Sequence, residues 1–429
     1  MSKITVKEFS TNLDKFRVPL SSFEREKRKG LIPYYGAAKI IDYVDGFTHT
    51  GLSVLIAEDG SVETKNGYPV VQLANGEYWV NNHTHVLKSG DDIDTTYLYY
   101  ALQTIKVAPF VTGAVQKKIS QQALNSMEIP YFEDKTDRKR IVEILSSFDE
   151  KIQLNTQINQ TLEQIAQALF KSWFVDFDPV CAKVQALSDG LSLEQAELAA
   201  MQAISGKTPE ELTALSQTQP ERYAKLAETA KAFPCEMVEI DGVEVPKGWE
   251  LSTIGDCYDV VMGQSPKGET YNENKQGMLF YQGRAEFGWR FPTPRLFTTD
   301  PKRIAEQNSI LMSVRAPVGD INIALEKCCI GRGLAALQHK SKSLSFGLYQ
   351  IQSIKSELDL FNGEGTVFGS INQANLKNIQ IINPDEKFIQ LFEKNLSSCD
   401  SKIMNNEIEN NALKEIRDLL LPRLLSGEI

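Results

Sequence analysis

Side chains suited to recognising nucleic acid occur in two parts of the chain, mostly beside glycine, proline or aromatic residues. Arginine, lysine, asparagine and glutamine read base edges in a major groove, and they also hold phosphates. The candidates are Lys39, Asn82, His83, Lys117 and Lys118 in the first part, and Gln282, Arg284, Arg290, Arg315 and Arg332 in the second. Each could equally be an ordinary surface residue, so the organisation of the whole chain has to decide.

The sequence offers no recognisable catalytic constellation. It lacks the G-x-x-x-x-G-K-[ST] pattern of phosphate-binding loops. His83 and His85 stand two residues apart, but no cysteine or carboxylate lies near them at metal-ligand spacing. We therefore predict a protein that is not an enzyme and that has no metal and no cofactor of its own.

A heptad seam organises the middle of the chain. Apolar residues recur at spacings of four and three from Ile141 to Trp173, and the same seam returns 251 residues later, from Phe392 to Leu424. Of the 33 aligned positions, 11 are identical. Such a seam predicts two long helices paired along their length. The duplication predicts a pseudo-twofold molecule with an internal repeat.

Two asparagine layers interrupt each seam at corresponding positions. If the helices pair antiparallel about a shared centre, facing residues sum to 565, so Asn155 faces Asn410 and Asn159 faces Asn406. A parallel pairing would place both flanking domains at the same end. Buried asparagine layers penalise slipped registers. We therefore predict an antiparallel pair whose register these four asparagines set.

The remaining sequence divides into alternating modules of an α+β protein. We predict a globular domain over 1–134, a long helix over 135–180, a spacer of two or three short helices over 181–239, a second globular domain over 240–383, and a second long helix over 384–429. The globular domains themselves look duplicated. Residues 30–36 resemble 277–283, and residues 54–56 align with 310–312.

Local signals predict several element boundaries. Apolar runs predict strands at 53–57 and 78–80, and residues 97–106 read as a short helix. Pro179 is the predicted stop of the first long helix. For the second, Asn383 is the predicted N-cap, with Pro384 at the first helical position, and Pro422 should kink or end it.

Composition places further bounds on function. The 429-residue chain has a net charge of −10, which argues against a protein that grips nucleic acid by bulk charge alone. It shows neither a secretory signal nor an apolar run long enough to cross a bilayer. Its six cysteines form no C-x-x-C pair, which favours reduced thiols and a cytoplasmic protein with no membrane partner.

These features resemble the specificity subunit of type I restriction–modification systems. The resemblance covers essentially the whole chain. It is sharpest over residues 146–159 and 168–179, and it extends to 32–37, 246–249 and 422–429. In that family the recognition loops vary freely, so no base-contacting residue can be transferred by motif.

The resemblance implies two target-recognition domains that each bind one half of a split double-stranded DNA target. The helices would set their separation and dock two methyltransferase subunits, making Phe170, Trp173, Phe174 and Phe177 candidate partner-binding residues. The methyltransferase subunits would bring S-adenosylmethionine, and separate restriction subunits would translocate and cleave the DNA. A 33-residue seam is about 50 Å long, or about 15 base pairs of B-DNA.

A second interpretation remains open at the level of sequence. The chain could be an adaptor that does not bind DNA, with duplicated binding domains on a coiled-coil ruler. DNA binding requires local positive potential on the recognition faces despite the acidic total, and that is the feature that separates the two interpretations.

Overall fold

The computed structural model describes residues 2–113, 116–363 and 369–429. The first part of the chain alternates strands with short helices before one long helix. Its helices are α1 (Val6–Phe9), α2 (Ser22–Lys27), α3 (Asp92–Leu102), α4 (Gln121–Asn125) and α5 (Lys135–Phe174), with 3-10 turns at Asp14–Phe16 and Ala108–Phe110. Its strands are β1 (Ser2–Thr5), β2 (Thr11–Asn12), β3 (Lys29–Tyr35), β4 (Ile40–Val44), β5 (His49–Thr50), β6 (Ser53–Ala57), β7 (Val71–Ala74), β8 (Glu77–Val80), β9 (Thr84–Lys88), β10 (Val111–Thr112), β11 (Lys118–Ile119) and β12 (Glu128–Tyr131).

The second part begins with consecutive helices and then repeats the mixed pattern. Its helices are α6 (Asp178–Ser188), α7 (Leu193–Ser205), α8 (Pro209–Thr218), α9 (Pro220–Ala232), α10 (Ile254–Cys257), α11 (Leu344–Ser353), α12 (Lys355–Asp359), α13 (Gln373–Lys377) and α14 (Glu386–Leu425), with 3-10 turns at Gly268–Thr270 and Arg284–Glu286. Its strands are β13 (Met237–Ile240), β14 (Val243–Pro246), β15 (Glu250–Thr253), β16 (Tyr258–Met262), β17 (Tyr271–Asn272), β18 (Met278–Tyr281), β19 (Leu296–Thr298), β20 (Ile304–Ala305), β21 (Ile310–Ser313), β22 (Ile321–Ile323), β23 (Cys328–Ile330), β24 (Leu334–His339) and β25 (Gln380–Asn383).

The chain forms two compact units, Met1–Gln157 with Asn405–Ile429, and Ile158–Met404. In the first unit the main sheets have the strand orders β2-β9-β6-β7 and β4-β3-β8-β5, and β1 pairs with β12. In the second unit they have the orders β16-β24-β21-β22 and β17-β19-β18-β23-β20, and β15 pairs with β25. The four-stranded order β2-β9-β6-β7 therefore recurs as β16-β24-β21-β22.

Parallel strand pairs confirm the internal repeat, although their registers match Tyr34 with Phe280, one residue away from the predicted alignment of 30–36 with 277–283. In the first unit β3 runs parallel to β8, with Tyr34 opposite Trp79. In the second unit β18 runs parallel to β23, with Phe280 opposite Cys329. The predicted α+β class, with two recognition-type domains and two long helices, is confirmed.

The long helices run antiparallel in each unit. In the first unit Asp149 and Asn155 of α5 contact Arg417 and Asn410 of α14, so partner numbers fall as α5 advances. In the second unit the Phe170 ring lies 5.7 Å from that of Phe392. All twenty seam positions are buried or half-buried, which explains why the apolar spacing was a reliable guide.

Several predicted helix ends are wrong. Helix α5 ends at Phe174, and Pro179 lies in the first turn of α6, where its missing N–H costs little. Asn383 belongs to β25 rather than capping α14, and the Asp385 side chain accepts the N–H of Lys387 instead. Pro422 lies inside α14, three residues before the last helical residue, Leu425. Because proline has no N–H, one backbone hydrogen bond near the end of the helix is lost.

Shorter elements follow the predictions unevenly. The strand at 53–57 is confirmed, and the strand at 78–80 forms within β8. Helix α3 begins at residue 92 rather than 97, because the side chain of Asp91 caps it by accepting the N–H of Asp94 at 2.9 Å.

The spacer contains four helices, α6 to α9, instead of two or three. Ser192 and Thr208 form capping boxes at the starts of α7 and α8. These helices enclose a small core of their own around Ala200, Met201 and Leu212. Among the described residues, no helix is long and apolar enough to cross a membrane.

Candidate nucleic-acid interface

Four of the five candidates in the first unit converge at one end of the β6–β9 pair. They are Asn82, His83, Lys117 and Lys118, and all four are exposed. The N–H of Glu58 donates to the carbonyl of His83 at 2.9 Å, and the N–H of Gly60 donates to the carbonyl of Lys117 at 2.9 Å. Lys39 lies apart from this group, exposed on the β3–β4 connection.

Acidic neighbours neutralise much of the charge in that group. The Nζ atom of Lys118 lies 3.0 Å from Glu58, and Nδ1 of His83 lies 2.8 Å from Asp59. Lys117 is paired with a glutamate as well. The group therefore offers hydrogen-bond donors more than net positive potential.

His85, two residues after His83, is part of a buried ionic network instead of sharing its surface. Ligand-type atoms of Asp14, Glu58 and His85 lie within 4.8 Å of one another. However, Nδ1 of His85 lies 2.6 Å from Asp14, and its Nε2 lies 2.9 Å from the carbonyl of Ile119. Both ring nitrogens are thus engaged, and neither offers a lone pair to a metal.

Arginine balances the acidic charges of this network. Nη1 of Arg17 donates to Glu58 at 2.5 Å. Burial opposes ionisation of Asp14, but hydrogen bonds from His85 and Val86 hold its pKa below its ordinary value. The arrangement is that of a satisfied structural network beneath the surface group.

A second cation-rich segment of the first unit contains only one of the candidates, Lys39. Residues 15–39 contain seven lysines and arginines against two glutamates, a net +5 within a chain of −10. They form α2 and β3, and the exposed members are Lys15, Lys27, Lys29 and Lys39. The density of cations was visible in the sequence and could have identified this surface.

Exposed apolar side chains lie among these cations. Leu31 is 91% exposed and Phe23 is 64% exposed, and Nζ of Lys27 sits 4.0 Å above the ring of Phe23. Other exposed members are Phe16, Val18, Ile40, Ile41, Tyr43 and Phe47. We call residues 15–47 the basic–apolar surface. Such a mixture suits a partner that presents both phosphates and apolar base edges.

Three candidates of the second unit meet where neighbouring strands end. They are Gln282, Arg315 and Arg332, and all three are exposed. The N–H of Gly331 donates to Tyr281 at 2.8 Å, and the N–H of Val314 donates to Gly333 at 2.9 Å. A Cβ atom on Gly331 would come within 2.7 Å of the carbonyl of Gln282, so only glycine permits this close approach.

The loop between β18 and β19, residues 282–295, carries the other two candidates. Arg284 is exposed, and its Nε lies 2.7 Å from Asp320. Trp289 on the same loop is 49% exposed. Arg290 was wrongly predicted as a base-reading residue. It is 6% exposed and paired with Glu163 and Asp400, so its guanidinium cannot reach a base edge.

The four predicted partner-binding aromatics lie in the core of the second unit, which leaves them little surface to offer a partner. Phe170, Trp173, Phe174 and Phe177 are all buried, at 8% exposure or less. Trp173 packs edge-on against Phe233 and Phe174 packs at a tilt against Trp249, with ring centroids 5.1 and 5.6 Å apart. These aromatics form the core of the second unit, because the chain after the spacer folds back over the end of α5.

The helix pair places its asparagines inward. In the first unit, Nδ2 of Asn155 donates to Oδ1 of Asn410 at 3.0 Å, which is the antiparallel register derived from the seams. The same amide donates to Glu409 at 2.8 Å, and Glu409 also pairs with Lys151 at 3.3 Å. Asn159 and Asn406 are each 1% exposed, and their pairing with one another remains a prediction.

A duplicated α+β unit with exposed polar surfaces, carried on an antiparallel helix pair, defines a recognition protein with two related binding domains. Residues 3–164 and 246–416 match the family described as type I restriction modification DNA specificity domain. The chain belongs to this family and is a type I restriction enzyme specificity subunit, a non-catalytic component. The matched segments leave out residues 165–245, which hold the spacer helices.

Individual relatives agree with this assignment. The chain is 48% identical over 328 residues to the type I restriction enzyme HindI specificity subunit of Haemophilus influenzae, covering 71% of this chain and 69% of that protein. It is 22% identical over 393 residues to the MjaIX specificity subunit of Methanocaldococcus jannaschii, covering 88% and 79%. The crystal structure of a type I restriction–modification S subunit from M. genitalium shares the fold, with a TM-score of 0.57 at 16% identity over 99% of this chain and 95% of that one.

Proposed function

We propose that this chain reads a bipartite double-stranded DNA target, with each recognition domain contacting one half. The observation that carries the proposal is the structural repeat itself: both units contain the same four-stranded order and the same type of parallel strand pair. A protein that duplicates its binding domain presents two equivalent sites to a partner. A split DNA sequence is the partner that such a specificity subunit requires.

Contacts of the first half-site are assigned to the basic–apolar surface and to Lys39 within it. Lys15 and Lys27 would hold phosphates, which supplies affinity without sequence information, whereas Lys29 is paired with Asp42 at 2.8 Å. Exposed Leu31 would contact apolar base edges such as the thymine methyl group. Residues 15–47 carry seven lysines and arginines against four acidic residues, and this local net charge of +3 supports DNA binding despite the acidic total.

Contacts of the second half-site are assigned to the β18–β19 loop and the adjoining strand ends. Gln282, Arg284, Arg315 and Arg332 provide amide and guanidinium donors of the types that read adenine and guanine. The first half uses mainly lysine and apolar side chains, while the second uses mainly arginine. The two half-sites should accordingly differ in base composition.

The helix pair would act as the spacer between half-sites. A slip of one heptad along α5 is about 10 Å, or about three base pairs. The buried Asn155–Asn410 layer opposes such a slip, because Asn410 would then face Phe148 in one direction and Leu162 in the other.

The outer faces of the same helices would dock two methyltransferase subunits. Since the aromatic cluster is buried, a better candidate surface in the first unit is formed by Leu154, Ile408, Ile416 and Leu419, which are 46–63% exposed. Apolar side chains exposed on long helices suit docking of partner helices. In this proposal the partners supply S-adenosylmethionine and methylation, restriction subunits supply cleavage, and the assembly acts in the cytoplasm.

The test is to co-express the chain with a methyltransferase subunit of its own system, purify the complex and sequence the methylome of the host. Exchanging residues 240–383 for those of a relative should alter one half of the methylated sequence and leave the other intact. A change in both halves would contradict the modular assignment. A stable complex without sequence-dependent methylation would favour the adaptor interpretation.

A further inference from the structure

The β18–β19 loop presents different chemistry on its two sides. Gln282, Arg284 and Trp289 are exposed. The next residue, Arg290, turns inward and is 6% exposed. A cation so deeply buried on a loop that otherwise carries recognition residues calls for a structural reason, because burying an unpaired charge is strongly unfavourable.

Arg290 is paired with a carboxylate from each long helix. Its Nη1 contacts Glu163 on α5, and its Nη2 contacts Asp400 on α14. Nη1 also donates to the Tyr349 hydroxyl at 3.2 Å. The planar guanidinium can reach two carboxylates at once, which a single lysine ammonium cannot reproduce with the same geometry.

Surrounding groups keep this contact charged and fixed. Burial opposes the charge on Arg290, yet Tyr349, Asp400 and Glu163 together raise its pKa above its ordinary value. Burial raises the pKa of Tyr349, so its hydroxyl stays protonated and donates to Glu163 at 3.2 Å. The hydroxyl of Ser345 supports Asp400 from the other side.

A second contact fixes the same loop to the sheet. The side chain of Asn322 on β22 accepts the N–H of Gly288 at 2.9 Å and donates to the carbonyl of Gly288 at 3.1 Å. The N–H of Ile323 donates to the carbonyl of Arg290 at 2.9 Å. The loop is therefore held by the sheet at Gly288 and by the helix pair two residues later.

The first unit lacks this connection among its described residues. Its equivalent of Asp400 is Asp149, which receives Nη1 of Arg417 at 2.5 Å and the hydroxyl of Tyr100 at 2.6 Å. Arg417 and Tyr100 both lie on helices, α14 and α3. The coupling of a recognition loop to the helix pair thus belongs to the second unit.

We propose that Arg290 is a positioning residue for DNA recognition, because it fixes the β18–β19 loop to both long helices and so sets where the second half-site is read. The inference rests on the proposed bipartite reading of DNA. It assigns to Arg290 a role in spacing and selectivity at one half-site without any contact with DNA.

The experiment uses the complex of the full chain with its methyltransferase subunits. A pool of DNA duplexes carries the target with the second half moved by one base pair, or with single substitutions in either half. Arg290→Met should raise methylation of displaced or second-half variants at least tenfold relative to the intact target, and it should leave discrimination within the first half unchanged. Arg290→Lys should restore part of the selectivity, since it keeps the charge without the fork.

Arg417→Met is the matched control, because it removes the arginine that binds the corresponding aspartate in the first unit. It should leave selectivity at the second half unchanged. Equal loss of methylation on all duplexes with Arg290→Met, at unchanged ratios, would overturn the inference. Loss of selectivity in both halves would also overturn it.

Hydrogen exchange on the isolated chain provides a readout that does not depend on DNA. With Arg290→Met, the amides of the β18–β19 loop should exchange at least tenfold faster while the strands β21 and β24 keep their protection. Faster exchange throughout the unit would mark a general structural role and overturn the inference. A wild-type complex without a split methylation target would contradict the proposed function, whereas a split target read by Arg290→Met with normal selectivity would contradict this inference alone.

Discussion

Equivalent aspartates of the two units pair with arginines from different kinds of element. Asp149 and Asp400 stand 251 residues apart at equivalent places on α5 and α14. Asp149 is 30% exposed at its side chain and is bound by an arginine and a tyrosine from helices. Asp400 is 12% exposed and is bound by an arginine from a recognition loop. In the first unit this ion pair joins the two long helices, whereas in the second unit it joins α14 to the β18–β19 loop.

The difference shows how a duplicated unit can diverge without changing its fold. Both units have the same four-stranded order and the same helix seam. The arginine that pairs with the equivalent aspartate lies on a helix in the first unit and on a loop in the second. In the first unit, cations of the basic–apolar surface pair with carboxylates of the same surface, as Lys29 pairs with Asp42. In the second unit, substitutions near Arg290 would affect both the β18–β19 loop and its contacts with the two long helices.

The largest expected contrast is in stability. Asp400→Ala removes one partner of a buried pair and should lower the free energy of unfolding by about 3 kcal/mol or more. Asp149→Ala, at a more exposed pair, should cost about 1 kcal/mol. Urea unfolding followed by tryptophan fluorescence measures both. Asp418→Ala, on an exposed side chain, is the control, and equal losses for Asp400 and Asp149 would remove the contrast.

Acid should affect the second unit through His339. This histidine is 5% exposed, and burial lowers its pKa to about 4. The unfolded chain takes up the proton from about pH 6.5 downward while the folded chain does not, so stability is full above that pH and falls as pH drops toward 4. The loss should approach about 3 kcal/mol at pH 4.

His339→Gln should remove most of this acid loss, as measured by urea unfolding at a series of pH values. The strand registers place Ser89 at the corresponding position of the first unit, because Leu87 faces Val54 as Leu337 faces Ile310. Serine carries no titratable charge, so Ser89→Ala serves as the matched control. An unchanged pH slope in His339→Gln would show that other groups govern acid sensitivity.

Base selectivity provides the next contrast. Arg284→Ala should weaken binding by about 1–3 kcal/mol at one base position of the second half-site, because a guanidinium reads guanine with two hydrogen bonds. Competition binding of the assembled complex with singly substituted duplexes measures this. Arg284→Lys keeps the charge but removes the paired N–H donors of the guanidinium, so it should lose the base preference as well. A uniform loss across all sequences would identify Arg284 as a phosphate contact instead.

The smallest effect concerns the apolar part of the first surface. Leu31 is 91% exposed, so Leu31→Ala should change unfolding free energy by less than about 0.5 kcal/mol. Affinity for the first half-site should still fall by about 1 kcal/mol, through lost apolar contact. Leu360→Ala is the control, since Leu360 is 84% exposed in the other unit. Equal effects of the two substitutions on DNA binding would argue against the basic–apolar surface.

The helix pair was predictable from sequence because its signal is local and periodic. Each seam residue is followed by the next after three or four positions, and burial follows that spacing. The role of Arg290 was not predictable, since Glu163 and Asp400 lie 127 and 110 residues away. The burial of Trp173 was unpredictable for the same reason. Its ring packs against Phe233 and Phe392, which are distant in the sequence.

Helix ends show a related limit. Pro422 and Pro179 were read by their intrinsic preference, yet tertiary packing or a neighbouring helix decided their place. The basic–apolar surface was different, because the density of cations over residues 15–39 is visible in the sequence itself. Local composition was the more informative signal there.

The pairing of β1 with β12 brings together residues that are far apart in the sequence. Ser2 lies opposite Tyr131, and a Cβ on Gly427 would lie 3.6 Å from the ring of Phe132, so the first strand and the end of the last helix meet at adjacent residues. Three separate stretches of the sequence therefore close the first unit at one place. Substitutions that disrupt the β1–β12 pairing would loosen the contact of this place with the end of α14.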